Sequence, residues 1–333
     1  MSTRLWRLLG LELALAAGLV LALGLAVTLG ETPLTAAQYA EGFARPGSAA
    51  AEILWGIRAP RVVCAAVVGA CLGLSGALLQ GLLRNPLADP GVLGVSATAA
   101  LGAALAIVSG LALTAGAVEG AALIGAGLGA LALLIFAARF PEPEALILFG
   151  VALSSFAGAV SALVFNLAPT PIATADILAW LLGSVENRSW ADVVWGAGPL
   201  LVAGGLAAWT GKGLRALTLG EETAATSGLD MGRIKLLAVA AAALATGAAV
   251  AISGVIGFVG LAAPHLVRRA VRDDPSRLLL PSALAGALML VVADLAARML
   301  PTPVELKLGV LTALVGAPLF AALAWRTARS WRA

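Results

Sequence analysis

Apolar residues in this chain do not alternate with polar ones at a helical or strand spacing; they run on without interruption. Continuous stretches fall near residues 11 to 29, 59 to 83, 92 to 110, 117 to 137, 146 to 168, 190 to 209, 234 to 253, 255 to 270, 278 to 297 and 307 to 325. A run of about 18 or more residues with few charges is long enough to cross a bilayer as a helix. The pattern therefore predicts an all-α membrane protein of about ten transmembrane helices joined by short loops. The first run follows Arg4 and Arg7, as the core of a secretory signal would. It is long enough to span and nine more runs follow it, so an uncleaved first helix is expected.

Composition narrows the choice. Of 333 residues 61% are apolar and 12% charged, against about 25% charged in an average soluble domain. Ten spans leave no room for a large extramembrane domain, which excludes most enzyme architectures and predicts one transmembrane domain over residues 1–333. The 39 glycines suit helices whose backbones approach closely in lipid. A net charge of +3 invites a nucleic-acid partner, but the basic residues stand singly between apolar runs and read better as loop charges. With the N-terminus inside, fifteen Lys and Arg fall in cytoplasmic segments and six outside: Arg45, Arg58, Arg61, Arg188, Arg298 and Lys307. That asymmetry predicts both termini cytoplasmic. Trp6, Trp55, Trp190, Trp209, Trp325 and Trp331 sit near span ends, where an amphipathic ring prefers the headgroup level. Cys64 and Cys71 lie two helical turns apart, about 10 Å, beyond disulfide reach, and read as buried thiols.

Three loops are long enough to hold structure. Outer segments 30–57 and 169–189 have room for short helices, the second re-entrant over Ala173 to Gly183. The inner loop 210–233 contains LTLGEETAATSGL, with Thr218 as a helix start and Gly228 as a stop. Aligning Gly69–Pro86 on Gly247–Pro264 matches six of 18 residues, including a shared Ser-Gly and a shared Pro. Five spans separate the two copies, so the repeat would be inverted, an arrangement common in transporters.

Little chemistry is available inside the spans. Few ionisable residues fall there, Glu12 near the inner end of the first span and Asp294 in the ninth among them, and Asp294 has Arg298 as an i,i+4 partner. A proton- or sodium-coupled carrier would bury more carboxylates, so the energy for transport is expected to come from elsewhere. The segment Gly205–Gly213 (GLAAWTGKG) lacks the Ser or Thr of a phosphate loop. One histidine, His265, offers no metal-binding spacing, and no acid–base or nucleophilic constellation occurs.

Five blocks carry a resemblance: IRAPR (Ile57–Arg61), SGALLQGLLRNPLADPGVLGVS (Ser75–Ser96), LGEETAATSGL (Leu219–Leu229), SGVIGFVGLAAPHLVRR (Ser253–Arg269) and ELKLGVLTALVGAPLF (Glu305–Phe320). In order and nearly end to end, the chain resembles the FecCD-like permease subunits of ABC importers for ferric siderophores, haem and vitamin B12. Its motif positions are Asn85, Pro86, Asp89, Pro90, Gly257, Gly260, Pro264 and His265. The resemblance implies a permease, not an enzyme, paired with itself or a similar subunit in the bacterial inner membrane. It also implies two ATPase subunits that bind ATP and Mg, and a periplasmic binding protein. Arg58, Arg61 and Arg298 match positions that dock the binding protein; Gly220, Glu221, Thr223, Ala224 and Gly228 match the coupling loop. Ser154, Ser155, Ser161 and Asn166 fall on the fifth helix, which lines the pathway in the family. The implied cargo is a ferric siderophore or haem, with cobalamin as the alternative within the family and an ion-coupled secondary carrier, which the inverted repeat would serve equally well, as the alternative outside it; no cofactor or metal is expected in this chain.

Overall fold

The computed structural model describes residues 3–330, apart from 31, 115, 141, 221, 222, 225, 227 and 303. Among the described residues there is no strand, and twelve helices of nine or more residues occur. In order they are α1 (Thr3–Thr28), α2 (Ala36–Ala44), α3 (Ala59–Leu82), α4 (Val95–Val108), α5 (Ala117–Arg139), α6 (Pro143–Asn166), α7 (Pro171–Leu181), α8 (Trp190–Leu217), α9 (Met231–Ser253), α10 (Val259–Arg268), α11 (Pro275–Met299) and α12 (Leu308–Ser330). Seven, α1, α3, α5, α6, α8, α9 and α11, are long and apolar enough to cross a bilayer; α4, α7 and the Leu308–Ala321 part of α12 are shorter.

The apolar runs near 92–110 and 255–270 are not full-length helices. α4 has 14 residues and α10 has 10, or about 21 and 15 Å, short of a hydrocarbon core of about 30 Å. The breaks are made by residues that a hydropathy pattern does not register. A short 3₁₀ turn, Pro90–Leu93, precedes α4. α9 ends at Ser253 because Gly254 takes φ +69°, a conformation glycine adopts without strain, and Phe258 at φ +67° then opens α10. The non-helical backbone at this break is held by the protein: Ser184 N–H donates to Ser253 O at 2.7 Å, and Gly309 N–H to Gly183 O at 3.3 Å. Irregular backbone at membrane depth requires such internal partners.

α3 is the central helix. Its residues are buried almost throughout, because glycines on one stripe let it touch the backbones of α11 and α10. A Cβ added at Gly69 would lie 2.2 Å from Gly286 O, at Gly73 2.1 Å from Ser282 O, and at Gly76 1.7 Å from Gly260 O. On another face Ser75 Oγ meets Thr246 Oγ1 at 2.7 Å and donates to Ala242 O at 3.0 Å, tying α3 to α9.

The 18-residue repeat does not map onto equivalent backbone. Ser75 and Gly76 lie inside α3, which continues to Leu82, whereas Ser253 is the last residue of α9 and Gly254 ends it. α8 also runs further than its apolar pattern, to Leu217 rather than residue 209. At 28 residues, about 42 Å, it projects past the hydrocarbon core. Thr218, expected to open a helix, instead closes this one, its Oγ1 donating to Arg215 O at 2.7 Å.

A substitution of Gly76 by Ala should force α3 from α10 and cost about 1–3 kcal/mol. Gly127, where an added Cβ meets nothing within 4 Å, serves as control. Thermal unfolding in detergent should fall for Gly76→Ala and stay unchanged for Gly127→Ala.

Candidate functional site

One end of the bundle is organised around a buried carboxylate. Before α3 the chain passes through a wide helical turn, Glu52–Arg58, in which Ala59 N–H reaches back five residues to Leu54 O. That turn brings Arg58 and Arg61 against α1 and α11. Arg61 donates to Asp294 Oδ1 through Nε (3.0 Å) and Nη2 (2.8 Å), and to Glu305 Oε2 through Nη1 (3.1 Å), with a second close contact to Glu305 Oε1. Arg298 Nε lies 3.0 Å from Asp294 Oδ2, so the expected i,i+4 pair is present and the fold adds two further members. Asp294 is wholly buried. Such a carboxylate is tolerable only when paired.

The same arginines close α1. Arg58 Nη1 donates to Thr28 O at 2.9 Å and Val27 O at 3.4 Å, and Nη2 contacts Thr32 O. Arg298 donates to Ala26 O at 3.0 Å and Leu29 O at 3.2 Å. The final carbonyls of a helix have no intrahelical N–H to accept from, and cations at this end are favoured by the helix dipole. The structure thus brings Arg58, Arg61 and Arg298 to one end of the bundle and turns them inward: Arg58 and Arg298 are each 6% exposed.

At the opposite end the motif blocks pack on one another. Asn85 Oδ1 accepts Leu87 N–H at 2.9 Å, and Asp89 Oδ1 accepts Gly91 N–H at 2.8 Å, fixing the loop after α3. Pro90 presses against Gly260, where a Cβ would lie 2.6 Å from its Cδ. Pro264 is buried inside α10, His265 is partly buried, and Gly257 faces open space. Gln80, not singled out in the sequence, joins these blocks. Buried within α3, it donates to Ala88 O and Leu261 O, both at 3.4 Å, and accepts from Arg268. Its only sequence signal was an amide inside an apolar run.

The loop after α8 lies at this end too. Gly220 O accepts Ala224 N–H at 2.9 Å, Ala224 is buried, and Thr223 O accepts Thr226 Oγ1 at 2.9 Å. Gly228 takes φ +76°, and Asp230 caps α9 by accepting Arg233 N–H at 3.0 Å. Glu221 lies outside the described residues. Beside the loop, Asp274 caps α11 through Ser276 and pairs with Arg215 and Arg277. Burial works to raise the Asp274 carboxyl, but hydrogen bonds from Ser276 and Arg215 and the Arg215 charge outweigh it and hold it below the usual carboxylate range.

The four polar residues of α6 do not share a surface. Ser155 and Asn166 are exposed and eleven residues apart, three turns, hence on one face. Ser154 and Ser161 are turned about 100° away and partly buried, with Ser161 Oγ donating to Ala157 O at 2.8 Å. Asn166 Nδ2 donates to Ala162 O at 2.9 Å.

A multi-pass helical bundle with its charges gathered at two ends is the architecture of a membrane permease. The model of the FecCD transport family matches residues 18–326, and the chain belongs to this family of ABC importer permeases. It is 42% identical over 289 residues to the uncharacterized ABC transporter permease protein YvrB of Bacillus subtilis, covering 84% of this chain and 81% of that one. Identity is also 42%, over 275 residues, to the cobalamin import system permease protein BtuC of Halobacterium salinarum, covering 81% and 73%. A solved structure of a transporter assigned to the metal-chelate type of ABC transporters, in an inward-facing conformation, superposes with a TM-score of 0.85 at 30% identity, covering 95% of this chain and 98% of that one.

Replacing Asp294 by Ala strips buried Arg298 of its carboxylate and leaves Arg61 with Glu305 alone, and should cost about 3–5 kcal/mol. Glu305→Gln, which keeps a hydrogen-bond acceptor for Arg61, should cost less. Thermal unfolding of the two variants side by side tests the ranking.

Proposed function

We propose that this chain is the membrane-spanning subunit of an importer that takes a bulky metal chelate from a periplasmic binding protein into the cytoplasm, in a bacterial inner membrane. Two copies, or this chain and a similar one, enclose the pathway, and two ATPase subunits beneath them bind ATP and Mg. The chain supplies neither cofactor nor catalytic group. The observation that carries this reading is the loop 217–230. It is seated between α8 and α9 at the end where most lysines and arginines gather, with Ala224 packed into the bundle so that a push on the loop reaches the helices.

In this mechanism ATP binding draws the ATPase subunits together and moves the coupling residues Gly220, Glu221, Thr223, Ala224 and Gly228. The bundle then tilts as a set of close-packed helices, because α3 touches α10 and α11 backbone to backbone. Arg58, Arg61 and Arg298 lie just beneath the end that meets the binding protein and act on its acidic groups from there, and Ser155 and Asn166 on the exposed face of α6 line the route, with Ser154 and Ser161 supporting it from the side. Both termini lie in the cytoplasm.

An iron chelate, a ferric siderophore or haem, is the cargo expected from the family's makeup. Cobalamin is the second reading, favoured by the 42% identity to a cobalamin import permease. Both are bulky, metal-bearing and poorly served by a narrow charged channel.

The test is reconstitution into liposomes with the ATPase subunits and binding protein. Uptake of the chelate should require ATP, and binding protein should stimulate hydrolysis; uptake driven by a pH or sodium gradient without ATP overturns the reading. Gly228→Trp, at a positive φ that a side chain strains, should leave hydrolysis running while uptake falls at least tenfold. A double substitution, Arg58→Lys with Arg61→Lys, keeps the positive charge beside Asp294 and the α1 carbonyls but removes the planar fork, and should weaken binding-protein association at unchanged basal hydrolysis. If basal hydrolysis and thermal stability fall together with docking, the arginines serve the fold instead.

A further inference from the structure

A lateral groove on the bundle ends in a cluster of cations, and the combination matches one kind of molecule. The groove, about 680 Å³, lies between α8 and α11, with α3 as its floor and Leu19 of α1 at its edge. Its wall on α8 is Leu201, Gly204, Gly205 and Ala208; on α11 it is Leu280, Ala283, Leu284 and Ala287. Along α11 it runs from Ala287 to Ser276, about 16 Å at 1.5 Å per residue, or roughly the depth of one leaflet. Ser276 is its one polar lining residue.

Below the apolar part the same helix faces turn basic. Lys212 and Arg215 continue the α8 stripe one and two turns past Ala208, and both are exposed. Arg277 continues the α11 stripe below Leu280 and Leu284. Asp274, held by Ser276, bridges Arg215 and Arg277 and offsets one of the three positive charges, leaving a net positive rim where the groove reaches the interface. Trp209, 73% exposed with the Arg233 guanidinium 5.9 Å from its ring centroid, stands beside this rim, at the depth that aromatic side chains take at headgroups. The groove is also genuinely open, since a Cβ added at Gly204 or Gly205 would meet nothing within 4 Å.

The geometry points to a bound anionic phospholipid. One acyl chain lies in the groove between α8 and α11, and the phosphate sits on Lys212, Arg215 and Arg277 in the leaflet at the cation-rich end. A zwitterionic lipid would fill the same groove but bring its own positive charge against the rim. The proposal goes beyond the transport reading and requires only that the bundle spans a bilayer, so its failure would leave that reading intact.

Native mass spectrometry of the full chain, titrated with phosphatidylglycerol or with phosphatidylcholine of the same acyl chains, tests it. One phosphatidylglycerol per chain should be retained with a preference of about 10- to 30-fold, given the net charge of the rim. Lys212→Gln with Arg215→Gln and Arg277→Gln should bring the two lipids to parity. Lys212→Gln alone should lower the preference several-fold if the triple variant proves unstable. Gly205→Leu projects into the open groove and adds a better helix former, so it should preserve thermal stability while abolishing retention of both lipids. Equal retention of the two lipids by the unaltered chain would sink the proposal, as would retention unchanged in Gly205→Leu. A Gln variant that keeps its lipid preference but loses the ATPase subunits would show that the rim is a protein contact. Gly205→Leu converting a dimer to a monomer would show that the groove is occupied by a second copy.

Discussion

Backbone contact along one face of α3 is the constraint on which the rest of the bundle depends. Three glycines there admit carbonyl groups of α11 and α10 to distances that any side chain would forbid. In lipid no hydrophobic force drives apolar helices together, so close packing and hydrogen bonding must do it. The stripe continues into Gln80, whose amide holds the carbonyls of Ala88 and Leu261 while its oxygen accepts from Arg268. A single helix face therefore joins the loop after α3 to the half-length helix α10, and with it the two motif blocks, Ser75–Ser96 and Ser253–Arg269, which are far apart in the chain.

Charge is used sparingly and almost entirely at the ends. At one end Asp294 pairs with both Arg61 and Arg298, Glu305 adds a second negative charge, and Arg58 and Arg298 close the last turn of α1. This makes the arginines structural, with Arg61 held by Asp294 and Glu305 together. At the other end Asp274, Arg215 and Arg277 tie the start of α11 to the end of α8, next to the loop 217–230. Between these ends the helices carry small and apolar side chains. A bundle built in this way has few groups with which to harness an ion gradient, which accords with a permease moved from outside by other subunits.

Hydropathy and charge counting alone determined that this is a helical membrane protein, where most of its helices lie, and which end collects the lysines and arginines. They could do so because burial in hydrocarbon demands long apolar runs whatever the packing partner. The Asp294–Arg298 pair was legible for the same local reason, four residues being one helical turn. The motif blocks were legible as words without showing what they touch.

Tertiary structure decided the rest. The shortening of α4 and α10, and the end of α9 at Ser253, are made by proline, glycine and a phenylalanine at positive φ, residues that leave hydropathy unchanged while redirecting the backbone. Equally, Arg61 meets Glu305 across 244 positions and Gln80 meets Arg268 across 188, pairings that no periodicity encodes. Ser154 and Ser155 are neighbours in sequence, yet the turn of α6 sends one toward its neighbours and the other outward. Local sequence dictates what each segment must bury. Which backbone lies against which depends on where glycine permits approach and where a buried charge finds its partner, and those are properties of the assembled bundle.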